Sequence, residues 1–595
     1  MKIKSCVAAL LAVFSLGLMT SCEDMFDIQS NRVVYDHEIN STADSVYSTL
    51  GVLQGMRKIA DRYVILGEVR GDMAMINELS AKTSIRNLAN FNFDDDNEYL
   101  NVRDYYAVIN NCNYALAKMD TALAINNQRV MIDEYAALQG IRAWTYLQLA
   151  INYGDVYFYT DPVVSESDVE KVKSWGKKDI KTISENLAPL LIPFLDYDLP
   201  AWSWTTNSYP VLRLVLADLY LWSGDYENAV KYLEEYFMMN KKFSYSKSDK
   251  NGEEAIPGYV NLGGAFMSWN GEENTDKAKI EVTQASGAET YTSKNTNKNG
   301  YENLAYITME NTGETGIASE LVQLFTSDDN THALYPSAYW SELSKAQTVF
   351  KFEKKNDSTN ILKISRNVGD MRKKTYYSTE TDKSGDADGE SESFDVYKKH
   401  SKTQINIYRR SIACLRWAEA MNALAKQRHE VAADSAQKAD ARQLAVNSFY
   451  LLKDASKVFF PDSSDVQKQF NRMIADVQKD YVGIHARGAG DVAHDTLYYV
   501  LTPSVIAESL GNGLTEENVT FNDTIEYIDN LIIDELALES TLEGNRFGDL
   551  IRFAERRGDP DFLAKRVASR KGKEEFDTEL YNKLTDKANW YLPFK

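Results

Sequence analysis

Small or apolar side chains recur at helical spacing in the first half of the chain, and this limits how the chain can fold. After Glu134, five such residues succeed one another at alternating intervals of four and three: Ala136, Gly140, Ala143, Leu147 and Ala150. Residues at this spacing fall on one face of a helix. A face made mostly of small side chains lets a second helix approach closely. The segment therefore predicts tightly packed helices.

A second segment contains two helices and the turn that joins them. A stripe of apolar residues runs from Leu212 to Trp222 at helical spacing, and Gly224 interrupts it. A second helix that begins at Asp225 turns Ala229 inward. A helix, a tight turn and a second helix with an inward alanine form the unit of tetratricopeptide-like (TPR-like) arrays. We therefore predict a mainly α fold, built as a TPR-like scaffold of helical hairpins.

The composition changes between residues 241 and 404, where Gly, Ser, Thr, Asn and Lys become frequent and short extended segments appear. We predict a large loop-rich insertion with short strands here, and long loops on a rigid scaffold often carry binding surfaces. The predicted parts are a lipoprotein signal peptide (1–21), the N-terminal part of the scaffold (22–240), the loop-rich ligand-facing region (241–404) and the C-terminal part of the scaffold (405–595).

The N-terminus has the features of a bacterial export signal. Lys2 and Lys4 precede an apolar run over residues 7–18, and small residues lead to Cys22. A signal of this form before a cysteine resembles a bacterial lipobox, which predicts lipidation of Cys22, although Met19 departs from the usual Leu. Each buried acyl methylene adds about 0.8 kcal/mol to membrane binding. The alternative is an ordinary signal peptide whose cysteine is not lipidated.

The chain is strongly acidic. It has 66 Lys and Arg against 87 Asp and Glu, which gives a formal net charge of −21. Loss of the two signal lysines lowers this charge further. Such a charge repels nucleic acid and anionic lipid headgroups. We expect no nucleic-acid partner and favour a neutral or cationic ligand.

The sequence lacks the common motifs of catalysis and cofactor binding. It contains no His-Glu-x-x-His pair, no Gly-x-x-x-x-Gly-Lys-Ser/Thr phosphate loop and no Gly-x-Ser-x-Gly elbow. A glycosidase-like pair of carboxylates stays open, because its spacing is three-dimensional. We predict no enzyme activity, no cofactor and no metal.

Two further features have competing interpretations. The acidic segment 92–99 lacks the spacing and the glycine of an EF-hand loop, so we favour a solvated acidic cluster over a calcium site. Cys112 and Cys414 each lie on an apolar helical stripe, which favours buried thiols. A disulfide between the two cysteines stays open, because sequence does not show proximity.

Six segments along the chain follow the order of a known family. They are the lipobox that ends at Cys22 and the segments 105–120, 134–158, 213–233, 415–425 and 535–558. Taken singly, each segment is weakly specific. Taken together they cover nearly the whole chain, and they resemble the SusD/RagB outer-membrane lipoproteins of Bacteroidetes.

The last segment is the most specific. The family pattern is close to Glu-Arg-x-x-Glu-Leu followed by Glu-Gly-x-Arg-x-x-Asp-Leu-x-Arg. The residues that keep it are Glu535, Glu539, Glu543, Gly544, Arg546, Asp549, Leu550 and Arg552. Leu536 and Ser540 replace the usual Arg and Leu, so part of the expected ion-pair network is missing. Charges at this spacing predict bracing between helices rather than a catalytic set.

The resemblance implies a function. SusD-like proteins bind nutrients, usually oligosaccharides, at the cell surface and form a lid on a SusC-like TonB-dependent transporter. It implies a surface-exposed protein that is lipid-anchored in the outer membrane, and Glu23 and Asp24 look like an acidic signal for surface display. The alternative is a peptide-binding, RagB-like lid. A surface enzyme and a purely structural partner of the transporter are less favoured.

Ligand candidates follow from the chemistry of sugars. Aromatic side chains stack on the apolar C–H faces of sugar rings, and polar side chains bind the hydroxyl rims. The aromatic candidates are Phe91, Phe93, Trp202, Trp204, Trp269, Tyr335 and Trp340. The resemblance adds Arg70, Asp72 and Arg409, which lie in segments where relatives contact ligand. Core packing is the alternative for each aromatic residue, and regular stripes assign three other tryptophans to the core: Trp144, Trp222 and Trp417.

Overall fold

The computed structural model describes most of the scaffold and parts of the insertion. The described residues are 39, 41–197, 199–200, 208–238, 267–270, 279–282, 303–309, 317–325, 332–346, 349–354, 360–366, 377–381, 393–397, 404–452, 496–497, 499, 501–511, 513–572 and 574–594. Cys22, Trp202 and Trp204 lie outside these residues. Trp269 lies in a described strand, but its side chain lies outside the described part.

Helices make up most of the described chain. They are α1 (Thr42–Glu68), α2 (Thr83–Ala89), α3 (Arg103–Lys118), α4 (Ile132–Tyr153), α5 (Glu166–Ser174), α6 (Ile180–Leu191), α7 (Leu212–Ser223), α8 (Tyr226–Met238), α9 (Leu321–Phe325), α10 (Ala338–Ala346), α11 (Arg410–Val431), α12 (Ser435–Tyr450), α13 (Pro503–Leu510), α14 (Phe521–Glu539), α15 (Arg546–Arg557), α16 (Pro560–Ala568) and α17 (Thr578–Leu584). Short 3₁₀ helices are Glu98–Leu100, Ile192–Phe194 and Lys587–Trp590.

The helices pack as a continuous array. In sequence order, α3 packs on α4, α4 on α6, α6 on α7 and α7 on α8, and α11 then packs on α8, α12 and α14. Their apolar faces contribute to one hydrophobic core that runs from Ile39 to Leu592. The predicted mainly α scaffold of helical hairpins is confirmed.

The strands are short and pair in antiparallel fashion. They are β1 (Ala74–Ile76), β2 (Ala124–Ile125), β3 (Gln128–Arg129), β4 (Val156–Tyr157), β5 (Lys177–Lys178), β6 (Met267–Asn270), β7 (Lys279–Val282), β8 (Asn303–Thr308), β9 (Leu334–Pro336), β10 (Val349–Lys354), β11 (Asn360–Arg366), β12 (Tyr377–Thr381), β13 (Ser393–Tyr397), β14 (Gln404–Arg409) and β15 (Thr496–Leu497). β10 pairs with both β11 and β15, and the two-stranded pairs are β1–β9, β2–β3, β4–β5, β6–β7, β8–β14 and β12–β13. Most of these strands lie between α8 and α11, where the sequence predicts an insertion with short strands.

The predicted turn between α7 and α8 is present. α7 ends at Ser223, and Gly224 follows with a φ of 80°, a left-handed conformation that glycine adopts without strain. The Asp225 Oδ1 atom then accepts a hydrogen bond of 3.1 Å from the backbone N–H of Asn228 and caps α8. Gly140 also has its predicted role, because a Cβ atom there would lie 2.8 Å from Leu212 Cδ2.

Three predictions about buried or spanning residues have clear outcomes. Trp144 and Trp417 are buried, whereas Trp222 is only partly buried against the core. Cys112 and Cys414 are buried free thiols, so the open disulfide is not formed. Burial raises the pKa of the Cys112 thiol to about 12, which makes it unreactive. Of the helices described, none is both long and apolar enough to cross a membrane.

Candidate ligand-binding surface

Residues 535–558, which we call the family-like segment, run from the end of α14 through α15 and form a buried ion pair with a residue far away in the sequence. Arg546 donates from Nε to Asp72 Oδ1 at 2.5 Å and from Nη2 to Asp72 Oδ2 at 2.7 Å. Its Nη1 atom donates to the carbonyl oxygen of Ile533 in α14 at 2.8 Å. The pair therefore fastens α15 to α14 and to the loop that follows α1.

Arg409, the last residue of β14, fastens the end of the insertion in the same way. It donates from Nε to Glu543 Oε2 at 2.7 Å and from Nη1 to Glu539 Oε1 at 2.9 Å. Its Nη2 atom donates to the carbonyl oxygen of Glu539 at 2.7 Å. Both carboxylates belong to the family-like segment, so the predicted bracing role of that segment is confirmed.

Glu419 of α11 is the centre of a third buried cluster. Its carboxylate accepts hydrogen bonds from Arg552 Nε at 2.8 Å and Nη2 at 2.7 Å, and from Arg556 Nη1 at 2.6 Å. Burial alone would raise the pKa of Glu419, but the two guanidinium groups outweigh it and hold the pKa at about 2. The ionised carboxylate therefore stabilises the contact between α11 and α15.

Replacing Glu419 by Gln is expected to lower the free energy of unfolding at neutral pH by about 2 kcal/mol, because the three charge-assisted hydrogen bonds from two guanidinium groups weaken or are lost. The pKa of Glu419 is lower in the folded than in the unfolded chain, so its stabilising effect is complete above about pH 4.5 and declines as the pH falls toward 2. Denaturant unfolding between pH 7 and pH 3 measures this. A stability difference between the two proteins that grows on acidification would contradict the assignment.

Two further ligand candidates lie inside the scaffold. Arg70 donates to the carbonyl oxygens of Leu66 at 2.9 Å and Trp590 at 3.0 Å, and its guanidinium lies 4.3 Å from the centre of the Phe547 ring. Trp340 lies in α10, and its indole N–H donates to Thr541 Oγ1 at 3.0 Å. Both side chains are fully buried.

The structure therefore separates the candidates by exposure. Four of them present at most 1% of their surface to solvent: Arg70, Asp72, Trp340 and Arg409. The reason is that each one is paired with the scaffold segments that it holds together. Phe91 is also buried, with 3% exposed, and its ring centre lies 5.5 Å from that of Phe547. None of these five side chains therefore exposes enough surface for a ligand to stack on or bind, and we assign them to the scaffold.

Tyr335 has a different environment. It lies in β9 opposite Met75 of β1 and is only half buried. Burial, together with the nearby carboxylates of Glu78 and Glu575, raises the pKa of the Tyr335 hydroxyl. Tyr335 is therefore influenced by the carboxylates of two loops, one that carries Glu78 and one that carries Glu575.

The same two loops carry exposed apolar side chains. Leu79, next to Glu78, is 97% exposed, and Phe576, next to Glu575, is 39% exposed. We call Glu78, Leu79, Tyr335, Glu575 and Phe576 the Tyr335 surface. It combines two aromatic rings, one aliphatic side chain and two carboxylates on loops.

A neighbouring loop places Phe93 near the same part of the molecule. Phe93 is half buried, and its ring centre lies 6.0 Å from that of Phe91. Lys583 of α17 donates to Asn92 Oδ1 at 2.7 Å and holds this loop against α17. Tyr581 of the same helix lies 5.6 Å from Phe576, ring centre to ring centre. α17 therefore contacts both the Phe93 loop and the Tyr335 surface.

A polar cluster joins these loops to the insertion. Asp61 of α1 accepts hydrogen bonds from Ser319 Oγ at 2.8 Å and from the backbone N–H of Glu320 at 2.7 Å. Glu320 in turn accepts from the Tyr99 hydroxyl at 3.0 Å and pairs with Lys82 at 3.5 Å. Burial raises the pKa of Asp61 to about 6, against the effect of its hydrogen bonds. The insertion is thus attached beside the loops that carry Leu79 and Phe93.

Sequence reasoning found only part of this surface. Tyr335, and Phe93 on the neighbouring loop, are sequence candidates, whereas Leu79, Phe576 and the two carboxylates are not. Their exposure depends on which loops meet at β9, and no local pattern signals that. Within the described part of the chain, no group of three or more His, Cys, Asp or Glu residues is placed to hold a metal ion.

Comparison with known proteins identifies the architecture. No protein-family model matches the chain, and no curated protein sequence does. A solved SusD superfamily protein from Bacteroides thetaiotaomicron VPI-5482 matches with a TM-score of 0.50 at 14% sequence identity, over 93% of this chain and 96% of that chain. The chain has the SusD-like fold.

Other solved structures are also similar to this chain. A SusD superfamily protein from Bacteroides vulgatus ATCC 8482 has a TM-score of 0.49 at 12% identity, over 93% of this chain and 96% of that chain. A laminarin-binding SusD-like protein has a TM-score of 0.46 at 12% identity, with the same coverage of 93% and 96%. At these identities the likeness is one of fold.

Proposed function

We propose that this protein captures oligosaccharides at the cell surface and delivers them to a SusC-like TonB-dependent transporter in the outer membrane. The observation that carries the proposal is the SusD-like fold, which extends over 93% of the chain. The ordered set of family-like segments in the sequence supports the same conclusion. The protein acts by binding, without a catalytic step of its own.

The Tyr335 surface supplies the chemistry that such binding needs. The rings of Tyr335 and Phe576 are suited to stacking on the C–H faces of a sugar. The carboxylates of Glu78 and Glu575 accept hydrogen bonds from sugar hydroxyl groups, as charge-assisted acceptors. Two carboxylates beside the rings repel uronate and sulfate groups, so a neutral glycan is the expected ligand.

The remaining aromatic candidates extend this proposal. Phe93 is half buried on the neighbouring loop, and Trp269 lies in β6 of the insertion. Trp202 and Trp204 lie outside the described residues, just before α7. These four residues remain candidate ligand contacts.

Anchoring and delivery complete the proposed function. A lipid on Cys22 would hold the protein at the membrane, and the acidic residues that follow would direct it to the cell surface. The SusC-like barrel is the partner that would receive the glycan. A binding surface built on loops suits a protein that must release its ligand as well as capture it.

Replacing Tyr335 by alanine is expected to weaken glycan binding about 2- to 12-fold, because an aromatic stacking contact contributes about 0.5–1.5 kcal/mol. Affinity electrophoresis in gels that contain neutral polysaccharides measures the change. Tyr47→Ala is the matched control, since Tyr47 is 73% exposed near the start of α1, whereas β1, which pairs with β9, follows the opposite end of that helix. Equal retardation of Tyr335→Ala and the unaltered protein would remove Tyr335 from the site.

A further inference from the structure

A second polar cleft lies inside the helical scaffold, apart from the Tyr335 surface. It is formed where α1, α4, α7, α11 and α15 meet, and it opens to solvent on one side. Its lining includes three aromatic side chains and three polar ones: Tyr63, Trp144, Trp222, Arg416, Asn545 and Asp549. We call it the Asp549 cleft.

Most charges around the Asp549 cleft are already paired. Arg416 donates from Nη1 to Asp218 Oδ2 at 2.5 Å and from Nη2 to Asn545 Oδ1 at 2.9 Å. Asp549 Oδ1 accepts a hydrogen bond of 2.7 Å from Arg552. The positive and negative groups therefore neutralise one another, and the cleft has no need of an ionic ligand.

Two polar atoms of residues that line this cleft have no such pairing. Asp549 Oδ2 and Arg416 Nε are both buried, and neither has a hydrogen-bond partner among the residues that the structure describes. Asp549 as a whole is 1% exposed. Buried polar atoms are almost always hydrogen-bonded to protein or to an ordered molecule, because leaving them unpaired costs free energy.

We propose that the Asp549 cleft binds neutral hydroxyl groups, supplied either by water or by a short polyol. A hydroxyl oxygen accepts the hydrogen bond that Arg416 Nε–H offers, and its proton is donated to Asp549 Oδ2. The space open to the centres of water-sized groups is about 30 Å³. At about 10–15 Å³ for each water, that is room for roughly two or three oxygens.

The walls of the cleft fit the same ligand class. Trp144 and Trp222 provide apolar surface for the C–H groups of a polyol, while the paired charges leave little net charge to attract an ion. The ligand bridges α11, through Arg416, and α15, through Asp549. This site is independent of the proposed function, because it rests on the cleft and its two unpartnered atoms.

The test is a pair of high-resolution crystal structures of the mature chain with Cys22→Ser. One crystal is grown and cooled without any polyol, and the other is soaked in ethylene glycol. We expect ordered density within about 3.2 Å of both Asp549 Oδ2 and Arg416 Nε in the first crystal. Separate peaks in both crystals assign the site to water, and connected density in the second assigns it to the polyol. Absence of density in both crystals, or direct bonds from both atoms to protein groups, overturns the proposal.

Discussion

Replacing Arg546 by alanine is expected to destabilise the fold by about 3–5 kcal/mol, because it leaves a buried carboxylate without its partner. Arg546 holds both oxygens of Asp72, and the side chains of the pair are 1% and 0% exposed. The same substitution removes the hydrogen bond to Ile533 O in α14. Denaturant unfolding, followed by circular dichroism, measures the loss.

A second arginine of the chain provides the matched control. Arg428 pairs with Glu227 at 2.6 Å, but these side chains are 45% and 65% exposed. Water solvates both groups when such a pair is broken, so Arg428→Ala is expected to cost about 0–1 kcal/mol. Equal losses for the two substitutions would show that burial of the Arg546 pair has no energetic consequence, which would contradict the bracing role.

Replacing Gly67 by alanine is expected to destabilise the fold by about 3 kcal/mol or more, at or above the upper end of the usual cost of overpacking. A Cβ atom on Gly67 would lie 2.0 Å from the carbonyl oxygen of Gly544 and 2.5 Å from its carbonyl carbon. These are backbone atoms, so no side-chain rotation relieves the overlap. The added methyl group must separate α1 from the turn before α15, and this breaks the 2.8 Å hydrogen bond from Gly544 N to Glu68 Oε1.

Gly51 is the control for this substitution, because it lies in the same helix. A Cβ atom on Gly51 would meet nothing within 4 Å. Gly51→Ala is therefore expected to stabilise the protein by about 0.5–1 kcal/mol through the lower backbone entropy of the unfolded chain. Thermal unfolding of both variants measures the two changes in stability. A Gly67→Ala protein as stable as the unaltered chain would mean that α1 and the turn are further apart than the structure places them.

The helical scaffold was predictable because its signals are local. The stripe that ends at Trp222, the interruption at Gly224 and the cap at Asp225 all lie within a few residues of the structure that they specify. A helix forms from contacts three and four residues apart, so periodicity in the sequence is sufficient to find it. The structure has α7, the turn and α8 where the pattern places them.

The partners of the bracing charges were not predictable. Arg546 was recognised as a bracing residue, but its carboxylate, Asp72, is separated from it by 474 residues. The resemblance makes Asp72 and Arg409 ligand candidates, because they lie in segments where relatives contact ligand. Sequence shows the charge of such residues but not which other segment folds against them. Burial against the family-like segment is a tertiary property.

Trp340 shows a local signal that was overlooked. The composition of residues 241–404 predicts a loop at Trp340, but this residue lies in α10, just after Ser337. The Ser337 hydroxyl accepts a hydrogen bond of 2.9 Å from the backbone N–H of Trp340, as a helix-capping residue does. A serine three residues before the tryptophan, followed by helix-forming residues, indicates such a start. Leu79 and Phe576 carry no comparable signal, since their exposure depends on distant loops.

The central claim is that this chain, which has the SusD-like fold, captures a glycan, and calorimetric titration tests it most directly. The signal-less protein with Cys22→Ser is titrated with neutral and acidic plant, microbial and host oligosaccharides, and with mixed peptides. We predict saturable heat with one class of neutral oligosaccharide, weakened by Tyr335→Ala and unaffected by Tyr47→Ala. Saturable heat with peptides and none with any oligosaccharide would contradict glycan capture and indicate a peptide-binding lid.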